Sequence, residues 1–101
     1  EIPNLIRDIG KEQLPFFYFQ EFHPSSKKKM TPEDEVKQMP GFGTLDYVPI
    51  VAALKEIGFN GLSEIFMHPV PRGIPMRPTA EEITSVINES RVYLTDCLGK
   101  V

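Results

Sequence analysis

Hydrophobic and polar positions change period along the chain, and each change marks an element. Over Asn4 to Gly10, Leu5, Ile6 and Ile9 recur at helical spacing, and Gly10 stands where a left-handed cap would close the last turn. This predicts the tail of a helix. Pro15 to Phe22 is dense in aromatics, short and without a polar helical face, which predicts a strand buried on both sides, as in a parallel sheet. No period is sustained from His23 to Thr44, where Ser, Lys, acidic residues, Pro and Gly predict one long loop with a helical turn after Thr31-Pro32-Glu33. Structureless loops of this length are often functional.

The helical period returns at Leu45. Asp46 suits an N-cap, Pro49 falls in the tolerant first turn, and Ile50, Val51, Leu54 and Ile57 form an apolar stripe that ends at Gly58. Asn60-Gly61 turns the chain into a second strand, Leu62 to His68, which Pro69 and Pro71 terminate. A proline-rich loop then runs to Pro78. Thr79-Ala-Glu-Glu82 reads as a capping box, and Ile83, Val86, Ile87, Leu94, Cys97 and Leu98 follow along about five turns of amphipathic helix.

Strands alternating with helices imply a parallel α/β sheet with right-handed crossovers, yet two strands cannot cover both faces or close on themselves. The expected fold is therefore the C-terminal portion, about two strand-helix units, of a (β/α)8 TIM barrel, which needs about 250 residues when whole. Residues 1–101 make one partial domain on this reading. An opening at Glu1, with neither an initiator Met nor a signal sequence, is read the same way, as a segment of something longer. Alone, such a segment is expected to fold poorly or to associate, because its strands expose open edges.

Composition narrows the classes. Of 101 residues, 41% are hydrophobic and 25% charged, which suits one modest globular domain. A net charge of -3 leaves no basic excess for a nucleic-acid backbone, so no nucleic-acid partner is expected. No apolar run approaches the roughly 18 to 20 residues that span a bilayer, so no membrane partner is expected either. Cys97 is the single cysteine, and among Val92, Leu94 and Leu98 it reads as a core thiol in a reducing compartment, with the cytoplasm as default.

Pro40-Gly-Phe-Gly-Thr-Leu-Asp-Tyr47, then Ile50, Leu54, Gly58-Phe-Asn-Gly61 and a Glu on the next strand, resembles the closing portion of the sugar phosphate isomerase/epimerase family, the xylose isomerase-like barrels. The family pattern runs Gly-x-Gly-x-x-Asp, an apolar helix with a Leu, a Gly-Tyr-x-Gly turn and a strand with an acidic metal ligand. Gly41, Gly43, Asp46, Leu54, Gly58, Phe59 and Gly61 match it in order, and the likeness covers about residues 15–98. The resemblance implies the seventh and eighth units of the barrel. It also implies one divalent metal ion (Mn, Mg, Co or Zn) held by two Glu, an Asp and a His. The implied reaction moves a proton next to a sugar carbonyl through an enediolate, whose charge the metal stabilises while a carboxylate serves as base.

Glu64 stands on the strand that carries the family's last acidic ligand, and the resemblance makes it both catalytic residue and metal ligand. It lies closer to the turn Gly61 than the family's acid, whose place Phe66 takes. Alternation puts Glu64, Phe66 and His68 on one side, so the interior role survives the shift and His68 becomes a second candidate for the pocket. The preceding strand departs further. The family's His-x-Lys-Asp aligns with Tyr18, Gln20 and Glu21, and a phenol replaces a neutral imidazole poorly at a divalent metal. Two readings stay open: His23 takes over as metal ligand near the strand end, or the metal site is altered or absent.

Each candidate also has a plain structural reading. Glu64 in an apolar strand needs a partner, which a metal, a sugar hydroxyl or a salt bridge would supply. His23 and His68 each precede a Pro at a strand end, where barrel sites gather, though loop histidines often bond backbone. Arg72 in Pro71-Arg-Gly-Ile-Pro offers a forked donor at the pocket rim, so His68 and Arg72 are the substrate-binding candidates. Glu21 is a second acid or a carboxylate paired with a helix lysine. Lys27-Lys28-Lys29 reads as a solvated loop rather than a phosphate grip, and Phe16 to Phe19 as core packing with one ring lining the sugar site.

The expected function is thus that of a metal-dependent sugar or sugar phosphate isomerase/epimerase, inactive as a fragment, with a small-molecule sugar or sugar phosphate as partner and room for a homo-oligomer. The alternatives are a metal-free barrel acting as a carbohydrate-binding or structural protein, and a relative of the abasic-site endonucleases, whose larger His set and nucleic-acid substrate fit this chain less well.

Overall fold

The computed structural model describes residues 1–21, 32–65 and 79–101. Helix α1 (Ile2–Ile9) is followed by a 3-10 turn (Lys11–Gln13) and strand β1 (Phe16–Tyr18). Helix α2 (Pro32–Val36) precedes helix α3 (Val48–Glu56), strand β2 (Leu62–Glu64) and helix α4 (Ala80–Gly99). The class is mixed α/β, with two parallel strands and four α-helices among the described residues. The described residues contain no closed barrel, and no helix among them is long and apolar enough to cross a membrane.

The predicted parallel pairing is present: Phe16 lies opposite Leu62, Phe17 opposite Ser63 and Tyr18 opposite Glu64. Both strands are shorter than expected. The ladder runs from the Leu62 amide, which donates to the Pro15 carbonyl at 3.1 Å, to the Phe19 amide, which donates to the Glu64 carbonyl at 3.0 Å. Beyond it the Glu21 amide donates to the Gln38 carbonyl at 2.8 Å, so the chain leaves the ladder for the loop before Phe22. Gly61 permits the tight start of β2, because a Cβ there would collide with the Pro15 carbonyl.

The helix boundaries follow their signals closely. The Thr79 hydroxyl accepts the Glu82 amide at 3.2 Å, which is the first half of the capping box. Asp46, expected as the N-cap of α3, stands two residues before it; Tyr47 holds the cap position without a side-chain bond, and Asp46 Oδ1 accepts the Val48 amide at 2.9 Å. At the other end Gly58 adopts φ +71°, with its amide on the Lys55 carbonyl and the Phe59 amide on the Leu54 carbonyl, a Schellman ending. Gly10 also has positive φ, but its ψ of 166° is extended, so α1 ends without the expected left-handed cap.

Ile6 of α1, Phe19, and Tyr47, Ile50, Val51, Ala53 and Leu54 around α3 form the core together with Cys97 of α4, buried as expected. Met39 and Val86 make a smaller cluster under Phe42, Ile65 and Ile87. The predicted stripe of α4 is only partly buried. Leu98 is 51% exposed, whereas Ser90, a position any hydrophobic count would leave in solvent, is fully enclosed with its hydroxyl donating to the Pro40 carbonyl at 2.8 Å. Helix α4 therefore docks partly through polar contacts with the Pro40–Leu45 segment.

Candidate functional site

Successive side chains of a strand point to opposite faces, and partners in a parallel register share a face. Phe17 and Phe19, with ring centroids 4.9 Å apart, point into the helix-covered core. Phe16, Tyr18, Leu62 and Glu64 share the opposite face, where the Phe16 and Tyr18 rings lie 4.7 Å apart and tilted. That face is open: Tyr18 is 54% exposed, Leu62 72%, and Glu64 is exposed as well. A parallel sheet normally has both faces covered.

Glu64 closes β2 at its C-terminal end, the end where open α/β sheets and barrels gather ligands. Among the described residues no cation pairs with it, so the plain salt-bridge reading has no support there. A cavity of about 690 Å³ runs beside it between β2, α3 and α4, walled by Phe59, Ile65, Ile87 and Leu94 with Lys55 and Arg91 among its polar groups.

Glu21, the other acid near a strand end, is placed quite differently. It continues the Phe17 and Phe19 side of the chain, and its side chain is buried. Its Oε1 accepts the Thr44 amide at 2.8 Å, the Leu45 amide at 3.1 Å and the Thr44 hydroxyl at 3.5 Å. Gly43 makes the fit possible, since a Cβ there would run into the Glu21 carboxyl. Of the two roles open to it, Glu21 thus turns to the helix side, but its partners are backbone amides rather than a lysine. Glu21 Oε2 and the Tyr47 hydroxyl are both buried with no hydrogen-bond partner among the described residues.

Burial drives the Tyr47 hydroxyl well above the usual tyrosine range, and the Glu21 carboxyl and then Tyr93 add to the rise. Tyr93 is also raised, chiefly by burial, against the lowering effect of the hydrogen bond from the Tyr47 backbone; Cys97 and Asp46 raise it further. The Tyr93 hydroxyl accepts the Tyr47 amide at 3.3 Å and donates to the Leu45 carbonyl at 3.4 Å, and the two rings meet edge-on with centroids 6.1 Å apart.

Of the residues expected at the site, Glu64 is described and stands at a strand end on the open face. His23, His68 and Arg72 lie outside the described residues, as do Phe66 and Lys27-Lys28-Lys29. No group of three or more His, Cys, Asp or Glu among the described residues is placed to hold a metal ion. Glu64 suits one donor of a divalent site. Glu21 does not, because its Oε1 is taken by amide donors on the far face, and Tyr18 opposite Glu64 brings a phenol in place of an imidazole. The described donors do not by themselves fit a divalent ion.

The Glu21 contact, the enclosed Ser90 and the buried Tyr47 were not singled out by sequence pattern. The one available signal was the Gly41-Phe-Gly43 pair, whose second glycine proves to face a carboxyl group. Comparison of the chain with models of protein families, with curated proteins and with solved structures finds no match.

Proposed function

We propose that this chain supplies the last two strand-helix units of a (β/α)8 carbohydrate isomerase or epimerase. The observation that carries the reading is the placement of Tyr18 directly opposite Glu64 on the uncovered face of a parallel sheet, with Phe16 beside them. In a barrel the helices pack outside, so the uncovered face is the interior one. A carboxyl group beside two aromatic rings suits a sugar, whose C–H face is apolar and whose hydroxyls need acceptors. Glu64 accepts a substrate hydroxyl or moves the proton on the carbon next to the carbonyl. In the metal-dependent form of this reading Glu64 is one ligand of a divalent ion. His23 is a further ligand, His68 and Arg72 contact substrate, and the remaining donors come from other strands.

A second reading, a metal-free carbohydrate-binding barrel, is favoured by Tyr18 at the place where the resembling family carries His. Metal content and ketose isomerisation of the full-length protein, wild type against Glu64→Ala, separate the two. About one bound divalent ion in wild type, lost in the variant together with a fall in turnover of roughly 10³-fold, is expected for the enzyme. Sugar binding that needs Tyr18 and Glu64 without metal or turnover supports the binding protein, and neither activity nor binding sinks both.

A further inference from the structure

One buried, hydrogen-bonded carboxyl group among the described residues is not used by the proposed site. Glu21 is 8% exposed, holds two backbone amides on Oε1 and leaves a buried Oε2 without a partner among the described residues. Burying a polar oxygen without a donor is costly, so a fold that keeps it gains something in return. The residue is tied from its own backbone as well, through the bond from its amide to the Gln38 carbonyl at 2.8 Å. The turn it grips is held from the other side by α4. Gly41, at φ +88°, packs so tightly on the Tyr93 ring that a Cβ would lie 2.9 Å from its Cγ, and Tyr93 and Ser90 bond the Leu45 and Pro40 carbonyls.

The geometry points to Glu21 as a positioning residue: its carboxyl clamps the Gly41–Leu45 turn onto the C-terminal end of β1 and so sets the rim of the strand-end site. A direct catalytic part is excluded by direction, because Glu21 faces the helix-covered side while Tyr18 and Glu64 face away from it. The consequence for substrate rests on the carbohydrate reading above; the clamp itself does not.

Amide hydrogen exchange at Thr44 and Leu45 in the full-length protein reads the clamp directly. Glu21→Ala is expected to speed both amides at least about tenfold more than those of Leu54 and Val86, which report the change in global stability. Glu21→Gln, which retains an acceptor oxygen, is expected to bring them back to within about threefold of wild type. Unchanged exchange in Glu21→Ala overturns the clamp, and so does a Gln variant as fast as the Ala one. If Glu21→Ala loses protection throughout, Gly43→Ala decides, since it keeps the Glu21 side chain but forces its carboxyl and the turn apart. Greater speeding at Thr44 and Leu45 than at Leu54 and Val86 is the expected result there, and either wild-type rates or equal speeding throughout overturns the proposal. With a ketose as probe, Glu21→Ala is expected to raise KM about threefold or more at nearly unchanged kcat, and Glu21→Gln to bring KM back toward wild type. An unchanged KM overturns the positioning role. Wild type inert toward ketoses instead overturns the isomerase reading and leaves the exchange result to judge the clamp.

Discussion

Glu21 and Glu64 stand at the ends of neighbouring parallel strands, on opposite faces of the same small sheet. The covered face removes Glu21 from water and surrounds one of its oxygens with backbone N–H groups. The open face leaves Glu64 in solvent beside Tyr18, with no cation on it among the described residues. Two carboxyl groups of almost the same chemistry are thereby given different work. One is spent on holding backbone, and the other is left available for a ligand. The difference comes from strand alternation alone, since a shift of one residue in either strand would exchange the faces.

Truncating the two acids is the strongest test of that contrast. Glu21→Ala strands two amide donors and empties buried space, and is expected to lower the unfolding free energy by about 2 to 4 kcal/mol. Denaturant melts of the full-length protein measure it. A loss no greater than that for Glu64→Ala would erase the distinction between the faces. Gly43→Ala approaches the same contact from the turn, and overpacking against the carboxyl is expected to cost about 1 to 3 kcal/mol. Because the two positions touch, their effects should not add: with the Glu21 side chain already removed, the new methyl group has room, and the double variant should be less destabilised than the sum. Strict additivity would mean that the turn is not built around Glu21.

How far these features could be read in the chain depended on whether their cause was local. The capping Thr79 and the Gly58 ending act within a few residues of themselves and were found where expected, whereas Asp46 lies one position before the cap that Tyr47 occupies and still reaches the Val48 amide. Parallel pairing also followed from alternation of strand and helix. Strand length did not: past the end of β1 at Tyr18 the Glu21 amide turns to Gln38, a partner far along the chain that no local period announces. Ser90 was hidden for the same reason, since a serine is enclosed only if a carbonyl such as that of Pro40 arrives to meet it. At the site, Glu64 was visible through its place after Gly61. Alternation puts Glu21 on the side of Phe17 and Phe19, but its backbone partners carried no cue until Gly43 was seen against it.

The tyrosines sharpen the contrast further. Tyr47 belongs to the covered side, with a buried hydroxyl that has no partner among the described residues and whose ionisation is pushed up by burial and by Glu21. Tyr47→Phe is therefore expected to be neutral or to stabilise by up to about 1 kcal/mol, since it removes an unsatisfied group and keeps the ring. The pH dependence has a definite sign. With the folded value above the unfolded value of about 10, the folded state holds the proton longer, so this contribution is complete below about pH 10 and is lost as pH rises further. Tyr47→Phe should flatten that alkaline loss, as followed by melts between about pH 9 and 11. An alkaline slope equal to that of wild type would mean that Tyr47 does not titrate with unfolding.

The smallest expected effect falls on the open face, and it is informative because it is small. Glu64 is exposed, and among the described residues no cation pairs with it, so Glu64→Ala should change stability by no more than about 0.5 kcal/mol. Removal of its charge from beside Tyr18 leaves the ladder intact, because the bond from the Phe19 amide uses the Glu64 carbonyl and not its side chain. If melting is unchanged while sugar turnover or metal content falls, the carboxyl is kept for a ligand, as proposed. If instead the variant is destabilised as strongly as Glu21→Ala, Glu64 has a structural partner in the full-length protein. The open face is then a packing surface, and neither carboxyl is left to do chemistry at this end of the sheet.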